Sequence, residues 1–185
     1  MIWVALAGPS GAGKDSLLDR VREDLAGDPR FHFARRTITR PAEAGGEAHE
    51  AVTSEQFQGF SEADTFILTW EAHGLRYGIR RSEAPGDRLV VISVSRTVLR
   101  MAARLRRLQV VKVSAPRIVL AERLARRGRE TADQIASRLD REMELPEGLD
   151  VVTIDNDASI EQGALRLRHV LEAAVSSCMT KAFPS

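Results

Sequence analysis

Two kinds of apolar stretch alternate along the chain. Short, nearly continuous runs occupy Ile2 to Ala7, Leu89 to Val94 and Gln109 to Ser114, with shorter or more polar versions at Phe31 to Ala34 and Asp150 to Ile154. Such runs are what strands buried on both faces of a parallel sheet require. Between them, apolar residues recur three and four apart: Leu17, Leu18, Val21 and Leu25; Val98, Leu99, Ala102 and Leu105; Ile118, Leu120 and Leu124; Ile135 and Leu139; Leu165, Leu167, Val170 and Leu171. Each set forms the inner stripe of an amphipathic helix. Gly27-Asp28-Pro29 stops the first helix, Ser95 caps the second, Pro116 stands at the start of the third, and capping boxes at Thr131 to Gln134 and Ser159 to Gln162 open the last two. Strands alternating with helices predict an α/β fold, a parallel doubly wound sheet that binds ligands at its strand C-terminal ends.

The alternation lapses between residues 41 and 81, where Phe57, Phe60, Phe66, Trp70 and Tyr77 are scattered among polar residues. This predicts an insertion with its own small core. The chain is then a single domain, with a core at about 1–34, 82–116 and 150–177, an insertion at about 35–81, and a frayed tail from Cys178 to Ser185.

Directly behind the first strand comes Gly8-Pro9-Ser10-Gly11-Ala12-Gly13-Lys14-Asp15-Ser16. The glycines let the backbone turn tightly and aim its N–H groups into one concavity that an anionic polyphosphate fills, while Lys14 reaches the outer phosphates. The helix that follows points its positive end at the same place. Strand, glycine loop, lysine and helix in this order predict a P-loop NTPase fold that binds ATP through Gly8 to Ser16. One position departs from the pattern. The residue after the lysine is ordinarily a Ser or Thr whose hydroxyl holds magnesium; here it is Asp15, with Ser16 one place late.

Composition narrows the rest. A chain of 185 residues with 43% hydrophobic content suits one domain, and no apolar stretch approaches the ~18 residues of a membrane span. The first residues enter a strand without a leader, so a cytoplasmic protein is expected. A lone cysteine, Cys178, excludes an internal disulfide, and a net charge of +1 argues against a nucleic-acid partner. Oligomeric state is left open. Yet 24 of the 27 basic residues are arginines, the side chain whose planar fork grips phosphate in two places. They cluster at Arg35, Arg36 and Arg40 beyond the second strand, at Arg76 beside Tyr77, and at Arg123, Arg126, Arg127 and Arg129 with Arg138 and Arg141 one helix later. A glycine between arginines at a helix end suits a mobile lid closing on phosphates. His32, His49, His73 and His169 show no metal-binding spacing and receive no catalytic task.

These segments together resemble the nucleoside monophosphate kinases, guanylate kinase nearest, across almost the whole chain. The loop Gly8 to Lys14, Thr37-Ile38-Thr39-Arg40-Pro41, Gly74 to Gly78, and Arg127-Gly128-Arg129-Glu130-Thr131 match in order. The resemblance implies that the insertion binds a phosphate acceptor and that a lid at about 117–149 supplies arginines to the transferring phosphoryl group. It also implies that Ile154-Asp155-Asn156-Asp157 contacts adenine through Asn156. Two departures carry information. Leu68 stands where guanylate kinases read the guanine edge with a glutamate, and Arg76 replaces a tyrosine of a Tyr-Tyr-Gly element. A leucine cannot accept guanine's N–H groups, so base recognition is lost while positive charge is gained.

Gly13-Lys14-Asp15-Ser16, Ile38 to Pro41, Gly45 to His49, and Trp70 to Ile79 also resemble the ribose 1,5-bisphosphate phosphokinases of phosphonate breakdown. That resemblance implies ATP-dependent phosphorylation of a phosphorylated sugar on its 1-phosphate, giving 5-phospho-α-D-ribose 1-diphosphate. The expected catalytic residues are Lys14, Arg127 and Arg138. Arg123 and Asn156 are expected beside the loop at ATP, and Arg36, Arg40, Arg76 and Tyr77 at the acceptor, with Arg35 secondary. The expected cofactor is Mg²⁺, held directly or through water by Asp15, because the aspartates guanylate kinases carry on a later strand are replaced here by Ser93 and Ser95.

Overall fold

A computed structural model describes residues 2–9, 11–41, 48–72, 74–126 and 144–180, the last three by backbone alone. Five strands form the central sheet: β1 (Ile2–Ala7), β2 (Phe31–Phe33), β7 (Leu89–Ser93), β8 (Arg107–Ser114) and β9 (Asp150–Asp155). Their spatial order is β2-β7-β1-β8-β9, and every pairing is parallel. The most continuously apolar run, β1, takes the central position with all six residues buried. The most polar, β9, takes an edge and is largely exposed. Helices α1 (Lys14–Asp24), α3 (Leu99–Leu105), α4 (Arg117–Arg126) and α5 (Ile160–Thr180) complete the doubly wound arrangement.

The period-2 alternation of β1 divides the interior into two cores. Ile2, Val4 and Leu6 face Leu17, Leu18 and Val21 of α1 and Leu167 and Leu171 of α5. Trp3, Ala5 and Ala7 face the other way, with Val90, Ile92, Leu99 and Ala102. The predicted second helix is split: Ser95 caps a 3-10 turn over Arg96–Val98, and α3 continues from it. The last helix extends to Thr180, further than the expected tail allows. No described helix is long and apolar enough to cross a membrane. The helix predicted from Thr131 lies outside the described residues.

Between β2 and β7 a second, mixed sheet stands where the pattern lapses. Its strands are β3 (Arg36–Ile38), β4 (His49–Ala51), β5 (Phe66–Ala72) and β6 (Leu75–Arg80), in the order β4-β3-β6-β5. Helix α2 (Ser54–Glu62), opened by a Thr53–Gln56 capping box, covers one face. There the expected small core exists: Phe57 stacks on Phe66 at 4.6 Å between ring centroids, and Phe60 meets it edge-on at 6.3 Å. The other face is different. Ile38, Leu68, Trp70, Tyr77 and Ile79 join the Trp3 side of the central core, so the second sheet shares half its interior with the first.

The Phe66 ring lies flat on the backbone of Gly78, where an added Cβ would come within 2.5 Å of two ring carbons. With Phe57 stacked on the ring and Phe60 against it edge-on, its room to retreat is small. Gly78→Ala should therefore lower stability by about 1–3 kcal/mol in denaturant unfolding. An unchanged midpoint would show that the ring moves aside.

Candidate active site

The glycine loop is shaped by its neighbours as much as by its own residues. A Cβ at Gly8 would lie 2.2 Å from the Val113 carbonyl oxygen of β8, so only glycine lets the chain leave β1 pressed against that strand. Gly13 takes φ 86° to start α1, and a Cβ there would meet the Asn156 amide at 2.4 Å. Asn156, at the end of β9, is 5% exposed. Its backbone N–H donates to Ser114 O and its Nδ2 donates to Ala12 O, both at 2.7 Å. On its far side Gly163 of α5 leaves the room its Oδ1 needs. Asn156 is thus a buried strut from β9 to the loop, and its N–H is engaged by the protein itself.

Arg123 of α4 supports the same loop. Its Nη1 donates to Gly11 O and Ala12 O at 3.4 and 3.5 Å, and its Nη2 donates to Asn156 O at 3.1 Å. A cleft of about 290 Å³ opens beside these groups, lined by Gly11, Gly13, Ser16, Arg123, Arg126 and Asn156, with Ile160 at its edge. Arg126 is a wall the sequence reading did not assign. Lys14 Nζ donates to Gly8 O and Pro9 O at 2.7 and 2.8 Å, which draws the ammonium over the loop. Asp15 is half-buried and Ser16 exposed in the first turn of α1. Burial pushes the Asp19 carboxyl above its usual value; Arg22 opposes the shift, and the Asp15 and Glu23 charges reinforce it. Ser93 is buried, and Ser95 caps its turn. Ser10, Arg127 and Arg138 lie outside the described residues.

On the second sheet the structure separates residues that the sequence grouped. Trp70 and Tyr77 pair across β5 and β6 and stack at 5.3 Å, 9° from parallel. The Arg36 guanidinium lies 5.8 Å from the Tyr77 ring centre. Arg36 also stands opposite His49 in the β3–β4 register, and the His49 ring contacts Arg40. Arg36, Arg40 and Tyr77 therefore share one neighbourhood, although Tyr77 is 8% exposed and serves mainly as a floor. Arg76 points the other way. Its guanidinium lies over Phe57 at 4.6 Å and donates to Gln58 Oε1 at 3.0 Å, on the α2 side of the sheet. Arg35 donates to His49 O, and its backbone N–H donates to Glu83.

Leu68 and Ile79 pair across the strands, 2% and 0% exposed. The face that a base-reading carboxylate would occupy is sealed with hydrocarbon. A carboxylate network that sequence reasoning missed lies nearby: Arg80 grips Glu50 through two bonds of 2.6 and 2.7 Å, and Thr37 Oγ1 donates to Glu50 at 2.7 Å. Its three members come from three strands, so no local spacing announces it.

Asn156→Ala should remove the amide bond to Ala12 and leave a void between two glycines. We expect a stability loss of about 1–3 kcal/mol and a roughly tenfold weaker ATP affinity by calorimetry. Undiminished ATP affinity would show that the loop keeps its shape without the strut.

No model of a known protein family matches the chain. Individual relatives do. The ribose 1,5-bisphosphate phosphokinase PhnN of Agrobacterium fabrum is 43% identical over 181 residues, covering 94% of this chain and 98% of that protein. The protein of the same name from Brucella melitensis is 45% identical, covering 95% and 94%. Among solved structures, guanylate kinase from Anaplasma phagocytophilum superposes with a TM-score of 0.67 at 19% identity, over 94% of this chain and 85% of that one, which shows the P-loop kinase fold. With this fold, this glycine loop and relatives matching end to end at more than two residues in five, the chain belongs to the ribose 1,5-bisphosphate phosphokinase family.

Proposed function

We propose that this protein transfers the γ-phosphoryl group of ATP to the 1-phosphate of ribose 1,5-bisphosphate, releasing ADP and 5-phospho-α-D-ribose 1-diphosphate, in phosphonate breakdown. The observation that carries this reading is the pairing of a glycine loop and its lysine with a second sheet in which Leu68 and Ile79 exclude a base while Arg36 and Arg40 lie beside His49. The names of the relatives support the same reaction.

The chemistry asks little of a base. A phosphate monoester has its second ionisation near ~6, so the attacking oxygen is already anionic at neutral pH. It attacks the γ-phosphorus, the bond from that phosphorus to the bridging oxygen breaks, and ADP leaves with the electron pair. The barrier is mainly the approach of two anions, and the residues assigned here answer it with positive charge and donors. Lys14 and the loop N–H groups hold the polyphosphate, with Arg123 and Asn156 fixing the loop's shape. Arg36 and Arg40 hold the acceptor, and Arg127 and Arg138 are assigned to the charge that spreads in the transition state. Arg76 is left to the packing of α2.

Magnesium suits the donors present. It takes one or two protein oxygens together with phosphate oxygens and waters, and Asp15 and Ser16 in the first turn of α1 are such a pair. When bound, the ion neutralises charge on the phosphate chain. Asp15→Asn should therefore raise the magnesium concentration needed for half-maximal turnover and shrink the gain in calorimetric ATP affinity that magnesium brings; unchanged dependence in both would remove Asp15 from this role.

The reaction itself is tested by ADP release from ATP and magnesium, with ribose 1,5-bisphosphate or GMP offered separately and the product identified by phosphorus NMR. Turnover with the sugar bisphosphate alone is expected. Turnover with GMP would mean that the Leu68–Ile79 seal does not exclude a base.

A further inference from the structure

His49 is one of the few polar residues buried in the described structure, at 7% exposure, and each of its ring nitrogens contacts Arg40. Nε2 lies 3.1 Å from the Arg40 carbonyl oxygen and Nδ1 lies 3.3 Å from Arg40 Nη2. A carbonyl oxygen only accepts, so Nε2 carries the ring proton. A guanidinium nitrogen only donates, so Nδ1 offers its lone pair. The geometry selects one tautomer of the neutral imidazole, and through it His49 holds Arg40 by backbone and side chain together. Two more arginines lie beside it: Arg35 Nη2 donates to His49 O at 2.9 Å, and Arg36 is its partner in the β3–β4 register. Arg40 Nε is left buried without a hydrogen-bond partner among the described residues, a donor directed by this arrangement and not consumed by it.

We infer that His49 is a positioning residue for the phosphorylated acceptor, presetting the Arg40 guanidinium before an anionic oxygen arrives. An arginine side chain loses much rotamer freedom when a ligand fixes it, and a neighbour that fixes it beforehand transfers that loss from binding to folding. Phosphate then meets an oriented fork rather than a mobile one. The inference rests on Arg40 being an acceptor ligand, and deepens that assignment by naming what aims it.

A double-mutant cycle decides the matter. H49F keeps a ring and removes both polar atoms, H49Q keeps an amide donor and acceptor, and R40Q removes the guanidinium. Steady-state kinetics are read for ribose 1,5-bisphosphate and ATP separately. The expected result is an acceptor KM raised about tenfold in H49F, the size of one lost charge-assisted hydrogen bond. Partial recovery is expected in H49Q, with the KM for ATP within about twofold of the parent. On the R40Q background H49F should add nothing.

A normal acceptor KM in H49F while R40Q raises it would overturn the role of His49 alone. So would additive effects in the double variant, or equal losses toward ATP and acceptor. A neutral R40Q would overturn the Arg40 assignment itself, and this inference with it. Should H49F fail to fold, H49Q combined with R40Q completes the same cycle.

Discussion

A hydrogen bond from the Asn156 amide to the Ala12 carbonyl, closed in between Gly13 and Gly163, sets the shape on which everything else depends. A glycine loop has little conformational preference of its own, and left alone it would sample many turns. Here the loop is pinned from outside: Val113 presses on Gly8, Arg123 reaches Gly11 and Ala12, and Asn156 holds the final turn before α1. Since Asn156 ends β9 and Arg123 lies on α4, the cradle is assembled by elements that are remote in sequence. A loop held in one shape from outside meets the condition for electrostatic stabilisation without reorganisation.

The second sheet divides labour between its faces. Strand alternation sends Tyr77 and Ile79 to one side and Arg76 and Gly78 to the other, and each side has its own partner. Toward α2 the contents are Phe57, Phe60 and Phe66, with the guanidinium groups of Arg76 and Arg80 lying over aromatic rings. Toward the central sheet lie Leu68, Trp70, Tyr77 and Ile79, with Arg36 over the Tyr77 ring. The arginines of the second sheet therefore form two populations, one on each face.

The central sheet was legible because each of its strands is an apolar run bounded by Gly, Pro or a cap. The loop was legible because its geometry demands glycine and lysine at fixed spacing. What the pattern hid has physical causes. Strands β3 and β4 are three residues each, too short for a period to show. Arg76 and Tyr77 are adjacent in sequence and opposite in space, which becomes visible only when the strand does. Asn156 was expected at adenine through a resemblance; its amide contact with Ala12 spans 144 positions, and no local signal marks it. His49 received no task because Arg40, which both of its ring nitrogens contact, lies nine positions away and no local spacing marks the pair.

The shared interior of the two sheets limits how the molecule can move. In a kinase whose halves met only through polar rims, either half could swing freely about its connecting strands. Here such a swing would drag Leu68, Trp70 and Ile79 out of a common oil with Val90 and Ile92 and present them to water. The second sheet is consequently held against the central one and cannot swing as a separate body.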